Sequence, residues 1–269
     1  TGRLVLADAT VLGWVHLDRL ELEIPGAELE PGAAAERYQR RRTQLAVASV
    51  RLAWEERADA AEIDVYLTRD KKVVVIHDDT TKRTTGTDWK VASRTLDEIR
   101  TLDAGAWKGP KYAGERIPTL DEVLAAVPEG KALLVEVKCG PEVIPELRRA
   151  IEESGKSPEE VRIIGFGLET MRKVREALPR HRVIWLSGWK KDEATGRWLT
   201  TVEDLVAAAR GAGVQGLSLA ADGPIDEAAV RKVREAGLEF HVWTVDDADL
   251  ALRMARLGVD GITTDRPAW

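Results

Sequence analysis

From residue 58 onward, apolar runs of strand length alternate with stretches whose apolar residues recur at helical spacing. The strand-like runs are residues 60–66, 132–138, 161–166, 182–187, 216–220, 239–245 and 261–265. Between them the 3.6-residue pattern predicts helices over 141–154, 168–178, 201–211, 226–237 and 246–258. Gly155, Gly211, Gly237 and Gly258 stand at the ends of these patterns, where a residue free to adopt positive φ stops a helix. Strands that alternate with helices build a parallel sheet. Seven strands in this rhythm predict an α/β protein of the (β/α)8 TIM-barrel class rather than an open sheet.

One run breaks the rhythm. Residues 73–76 follow the first strand after only Thr68-Arg69-Asp70-Lys71-Lys72, too short for a parallel crossover. The pattern predicts a hairpin after strand 2 that folds His77 back toward the mouth of the barrel. Residues 79–118 then form a long polar excursion with Trp89, Trp107 and Tyr112 as expected anchors, and long loops of this kind usually carry function. An eighth strand is needed from residues 1–59. Residues 11–17 are a better candidate than 3–7, and would leave residues 21–42 as a lid-like loop over the mouth. The whole chain, 1–269, reads as one barrel domain with an atypical segment at 1–45.

Hydrophobic residues make up 44% of the 269 residues and charged residues 32%, enough apolar material for a large core. A net charge of −6, with no basic run longer than Arg40-Arg41-Arg42, argues against nucleic acid as a partner. The lone Cys139 excludes an internal disulfide framework and a cysteine-based zinc site. It points to a reducing, cytoplasmic location. No apolar run reaches membrane-spanning length.

Candidate chemistry sits at the ends of two predicted strands. Side chains alternate faces along a strand, so Glu62 and Asp64 point one way, as do Glu136 and Lys138. Carboxylates aimed together from buried strands are costly unless compensated, and a hard divalent cation is the natural compensation. His77, a short turn away, is placed to supply acid–base chemistry. Each residue also has a plainer role open to it: a strand-end salt bridge for the carboxylates, a loop cap for His77, and a solvated strand end for Lys138.

The chain resembles the glycerophosphodiester phosphodiesterases. The resemblance is carried by Ala58-Asp59-Ala60-Ala61-Glu62-Ile63-Asp64-Val65, Leu67-Thr68-Arg69-Asp70 and Val73-Val74-Val75-Ile76-His77-Asp78-Asp79. It continues through Lys82-Arg83-Thr84-Thr85-Gly86, Arg116-Ile117-Pro118-Thr119-Leu120, Leu133-Leu134-Val135-Glu136-Val137-Lys138, Val242-Trp243-Thr244-Val245 and residues 258–267. These motifs occur in family order over roughly residues 45–269. The resemblance implies a (β/α)8 barrel and hydrolysis of a small-molecule glycerophosphodiester to an alcohol and glycerol 3-phosphate. It implies Mg2+ or Ca2+ held by Glu62, Asp64 and Glu136, with His77 as a catalytic histidine. It places Lys138 beside the phosphate and Trp243 in the wall of the substrate pocket.

Two family motifs are missing. No His-Arg-Gly closes the first strand and no Glu-Asn-Thr opens the first helix; by spacing both belong near residues 30–45, which instead read as an Ala/Gly run and an arginine cluster. Three readings stand open: a degenerate site with half its acid–base pair, His16 as a substitute at the end of strand one, or a compensated frame shift in the gene. The functional alternatives are an inactive barrel that binds phosphodiesters or another protein, and a phospholipase-D-like lyase that gives a cyclic phosphate.

Overall fold

The computed structural model describes residues 12–16, 50–51, 53–54 and 58–266. Among the described residues nine strands form one sheet: β1 (Leu12–His16), β2 (Ala60–Leu67), β3 (Val73–Val75), β4 (Ala132–Val137), β5 (Val161–Gly165), β6 (Arg182–Ser187), β7 (Gly216–Ala220), β8 (Glu239–Trp243) and β9 (Gly261–Thr264). All neighbours pair in parallel except β2 and β3, and β1 pairs with both β9 and β2. The parallel ladder therefore closes on itself as an eight-stranded barrel, leaving no open edge between first and last strands. The eighth strand lies where the sequence placed it, within residues 11–17. The expected loop 21–42 falls outside the described residues.

Strand parity builds two apolar layers. Ala60, Leu134, Ile164, Ile184 and Leu186 cluster inside the barrel. Their alternating neighbours Ile63, Val65, Leu133, Val135, Val183 and Val242 pack outward against Leu147, Met171, Leu205 and Val230 of the surrounding helices. Each helix buries one stripe, as its periodicity requires. The helices Ile144–Ser154, Leu168–Ala177, Val202–Ala212, Glu227–Glu235 and Ala248–Leu257 match the predicted five. One stop differs: the helix expected to end at Gly211 runs to Ala212, and Gly213, at φ 70°, is the left-handed cap. Gly211 is the penultimate residue of the helix, where a glycine is tolerated.

The floor of the barrel is charged. Glu239, at the start of β8, is 3.4 Å from both Arg162 and Arg182 and 3.1 Å from Nε2 of the fully buried His241. Burial works to raise the Glu239 carboxyl, but the His241 hydrogen bond and the two guanidiniums outweigh it and hold it below the usual range. Burial pushes the His241 imidazole below its ordinary value.

The hairpin and the excursion after β2 are present. β3 pairs antiparallel with Val65, Tyr66 and Leu67. The hairpin and the excursion share a separate apolar cluster of Val74, Ile76, Val91, Ile99, Ala104 and Ile117. Of the three expected anchors, Tyr112 is buried and Trp89 is half-buried beneath the Arg94 guanidinium at 4.4 Å. Trp107 is not a buried anchor: it is 43% exposed, donates its indole N–H to the Ala104 carbonyl, and has the Arg83 and Lys108 cations over its ring. Among the described residues no helix is long and apolar enough to cross a membrane.

Candidate active site

The parallel register of β2 and β4 sets Asp64 beside Glu136 and Glu62 beside Leu134. Ala60 and Leu134 fill the interior beneath, so the acidic side chains rise from an apolar layer toward the C-terminal mouth. Glu62, Asp64 and Glu136 are all buried, and each offers an oxygen within 4.8 Å of the other two. Two positions beyond Glu136, Lys138 turns back over the group, its Nζ 3.2 Å from Glu136 Oε1 and 3.4 Å from Asp64 Oδ1. Burial acts to lower the pKa of this ammonium. The two carboxylates override burial and hold it above the ordinary lysine value, so it stays charged.

Three buried carboxylates beside one ammonium are a hard-oxygen donor set with an excess of negative charge. Among the described residues the group contains no thiol or imidazole. That fits a hard divalent cation such as Mg2+ or Ca2+ and does not fit a soft one.

His77 reaches the same pocket from the hairpin, one residue beyond Ile76, whose N–H bonds the Asp64 carbonyl at 3.0 Å. Its Nδ1 lies 2.7 Å from Asp78 Oδ1, and Asp78 Oδ2 accepts from Arg83 Nε at 2.6 Å. Burial works to raise the Asp78 carboxyl, and the hydrogen bonds from His77 and Arg83 bring it below the usual range. An ionised Asp78 can only accept, so the neutral imidazole carries its proton on Nδ1 and presents Nε2 as the basic nitrogen.

These groups border a pocket of about 250 Å³. Glu62, His77, Glu136 and Lys138 supply its polar lining, and Ile164, Phe166, Leu186 and Trp243 its apolar lining, with Ile164 next to Glu136 in the β4–β5 register. Trp243, the last residue of β8, donates its indole N–H to the Ser218 carbonyl at 3.1 Å and meets Phe166 edge-on, ring centres 5.5 Å apart. The Phe166 carbonyl in turn accepts from the Trp185 indole at 2.9 Å. Thr263 and Asp265 complete the rim at the end of β9.

The fold thus brings together every site residue read from the sequence. Asp64 lies in the acidic group beneath Lys138, and the other five line the pocket. His16 ends β1 at the register position of Glu62. His181 precedes β6 at the opposite end of the barrel and is buried there. The apolar wall of Ile164, Phe166 and Leu186 was missed. Parity gives 164 and 166 the same face, but it does not show that Phe166 lies beyond the end of the strand. The Asp78–Arg83 support of His77 was also missed, although both lie in quoted motifs.

Comparison with known proteins agrees with this geometry. The model of the glycerophosphoryl diester phosphodiesterase family matches residues 38–269. A glycerophosphodiester phosphodiesterase of Caldanaerobacter subterraneus is 35% identical over 232 residues, 82% of this chain and 88% of the relative. One from Bacillus subtilis is 30% identical over 239 residues, 82% of this chain and 78% of the relative. Among solved structures, an Oleispira antarctica phosphodiesterase in complex with the product sn-glycerol-3-phosphate superposes with a TM-score of 0.71 at 25% identity, covering 82% of this chain and 87% of that one. A Thermotoga maritima glycerophosphodiester phosphodiesterase gives 0.66 at 24% identity, covering 96% of each, and supports the fold. The chain belongs to the glycerophosphoryl diester phosphodiesterase family.

Proposed function

We propose that the protein hydrolyses glycerophosphodiesters to an alcohol and glycerol 3-phosphate, using a divalent cation, Mg2+ or Ca2+, at Glu62, Asp64 and Glu136. The observation that carries this reading is the convergence of three buried carboxylates, one lysine and one carboxylate-supported histidine on a single pocket. When bound, the cation supplies neutralisation of phosphate charge at the mouth of the barrel.

The chain's own residues supply the rest. Lys138 carries a fixed positive charge to the pocket wall, where it attracts a phosphate oxygen. His77, held by Asp78, exchanges a proton at Nε2 with the attacking or the leaving oxygen. Trp243, in the apolar lining, limits water.

Among the described residues no second histidine lines the pocket. Loss of one member of an acid–base pair typically costs about 10²–10⁴-fold in rate, so this enzyme turns over slowly unless His16 supplies the partner. The position of His16 beside Glu62 in the β1–β2 register is the observation that keeps it in play.

Release of sn-glycerol 3-phosphate from glycerophosphocholine, measured with Mg2+, with Ca2+ and with excess EDTA, tests the reading. Slow release that EDTA stops and either metal restores supports it. No release with either metal converts the protein to a binding barrel, and a cyclic phosphate product converts it to a lyase. In the same assay a large fall for His16→Ala promotes His16 to the catalytic pair, and no change dismisses it.

A further inference from the structure

Half of the pocket has no part in handling a phosphate. Ile164 and Leu186 rise from the interior apolar cluster, and Trp243 stands above them. Phe166, the residue after β5, carries this wall out past the mouth, with its side chain 48% exposed. A lone exposed phenylalanine is ordinary, but this one continues the apolar lining of a pocket. Its position is fixed at both ends: the backbone by the Trp185 indole, the ring by the edge of Trp243. A neighbouring position reinforces this, since a β-carbon at Gly165 would crowd the Met171 methyl at 2.9 Å and the Val137 carbonyl at 3.1 Å. The strand end therefore has little freedom to carry Phe166 elsewhere.

A glycerophosphodiester presents two organic groups to such a site. Glycerol, with hydroxyls to satisfy, belongs on the carboxylate side. The other alcohol then faces the apolar wall, and a pocket of about 250 Å³ leaves it to run out along Phe166.

We propose that this wall is a subsite for hydrocarbon, so that the enzyme selects glycerophosphodiesters whose leaving alcohol bears an alkyl or acyl chain, with Phe166 the specificity-determining residue at the rim. The proposal rests on the phosphodiesterase reading of the site. In the reaction water adds to phosphorus, the P–O bond to the chain-bearing alcohol breaks, and that alcohol departs with a proton. Glycerol 3-phosphate remains on the acidic side.

The test uses glycerophosphomethanol, -butanol and -hexanol below the concentrations at which they self-associate. Binding to His77→Ala protein is measured by calorimetry and turnover by wild type in parallel. Binding tightens on the order of tenfold from methyl to hexyl, the equivalent of roughly two buried methylenes. In Phe166→Ser that gradient largely disappears, and in Phe166→Leu it is retained. Equal affinity for all three compounds, or a gradient untouched in Phe166→Ser, overturns the proposal. Tighter binding of glycerophosphocholine than of its uncharged isostere glycerophospho-3,3-dimethylbutanol also overturns it, because the rim is then a cation site. A chain-length gradient in binding with no turnover of any member sinks the hydrolase reading and leaves the subsite standing.

Discussion

Glu136 sits between two neighbours of opposite sign, Asp64 across the β2–β4 register and Lys138 at 3.2 Å. Glu136→Gln removes one of three charges that favour a divalent ion without changing the shape of the pocket. The rise in melting temperature produced by millimolar Ca2+ or Mg2+ is expected to vanish in this variant, measured by scanning fluorimetry. A persistent shift places the ion elsewhere. Asp78→Asn tests the histidine. An amide no longer fixes Nδ1 as the protonated nitrogen, and activity is expected to fall about 10²-fold or more, with a displaced pH–rate profile. The acidic residues and Lys138 were legible because strand parity alone decides which way they point. Phe166 was not. As the last residue of an apolar run it reads as core, and only the observed end of β5 at Gly165 shows that it has left the sheet.

At the scale of elements, most of the secondary structure could be read from periodicity, and the misses lie where side chains override it. The loop after β6 is one. It is folded by an isolated antiparallel bridge between Lys191 and Trp198, with the Trp189 indole donating to the Ala220 carbonyl at 2.7 Å and meeting the Trp198 ring edge-on. No short-range pattern announces contacts of that kind. Trp189 lies directly on Gly223, where any β-carbon would overlap the indole. Gly223→Ala is expected to push the tryptophan off its seat, change the intrinsic fluorescence and cost about 1–3 kcal/mol in urea unfolding. An unchanged emission spectrum would show the loop to be looser than described. The helix Leu120–Leu124 offers a milder test. Thr119 and Glu122 form a reciprocal capping box that ties this one short turn to the end of the excursion. Thr119→Ala is expected to lower stability by about 1 kcal/mol in the same measurement.

Taken whole, the barrel has two chemically separate ends, an acidic mouth and a charged floor, divided by the apolar layer of Leu134, Ile164 and Ile184. Two buried histidines belong to the lower half. Burial is the main reason that both His181 and His241 sit below the ordinary value of 6.5 in the folded chain. The unfolded chain takes up these protons first, so the stabilisation is complete above about pH 6.5 and declines as pH falls through that value. Melting temperature is expected to drop between pH 7.5 and 5.5, before carboxylates titrate, and to drop less in His181→Gln. A flat profile over that window would show that both imidazoles are protonated without penalty. The closing pair of strands has a different kind of consequence. β1 bonds to β9 through Leu12 with Gly261 and Trp14 with Thr263, so the last seam joins residues almost the whole chain apart, while β2, β3 and β4 are near neighbours in sequence. During synthesis the acidic residues and His77 emerge and can find one another long before the ring that shelters them is able to shut. The late step of folding is then a search between β1 and β9, slow because so distant a contact must form before it is rewarded. Until it succeeds, two bare strand edges are what the cell's quality control encounters.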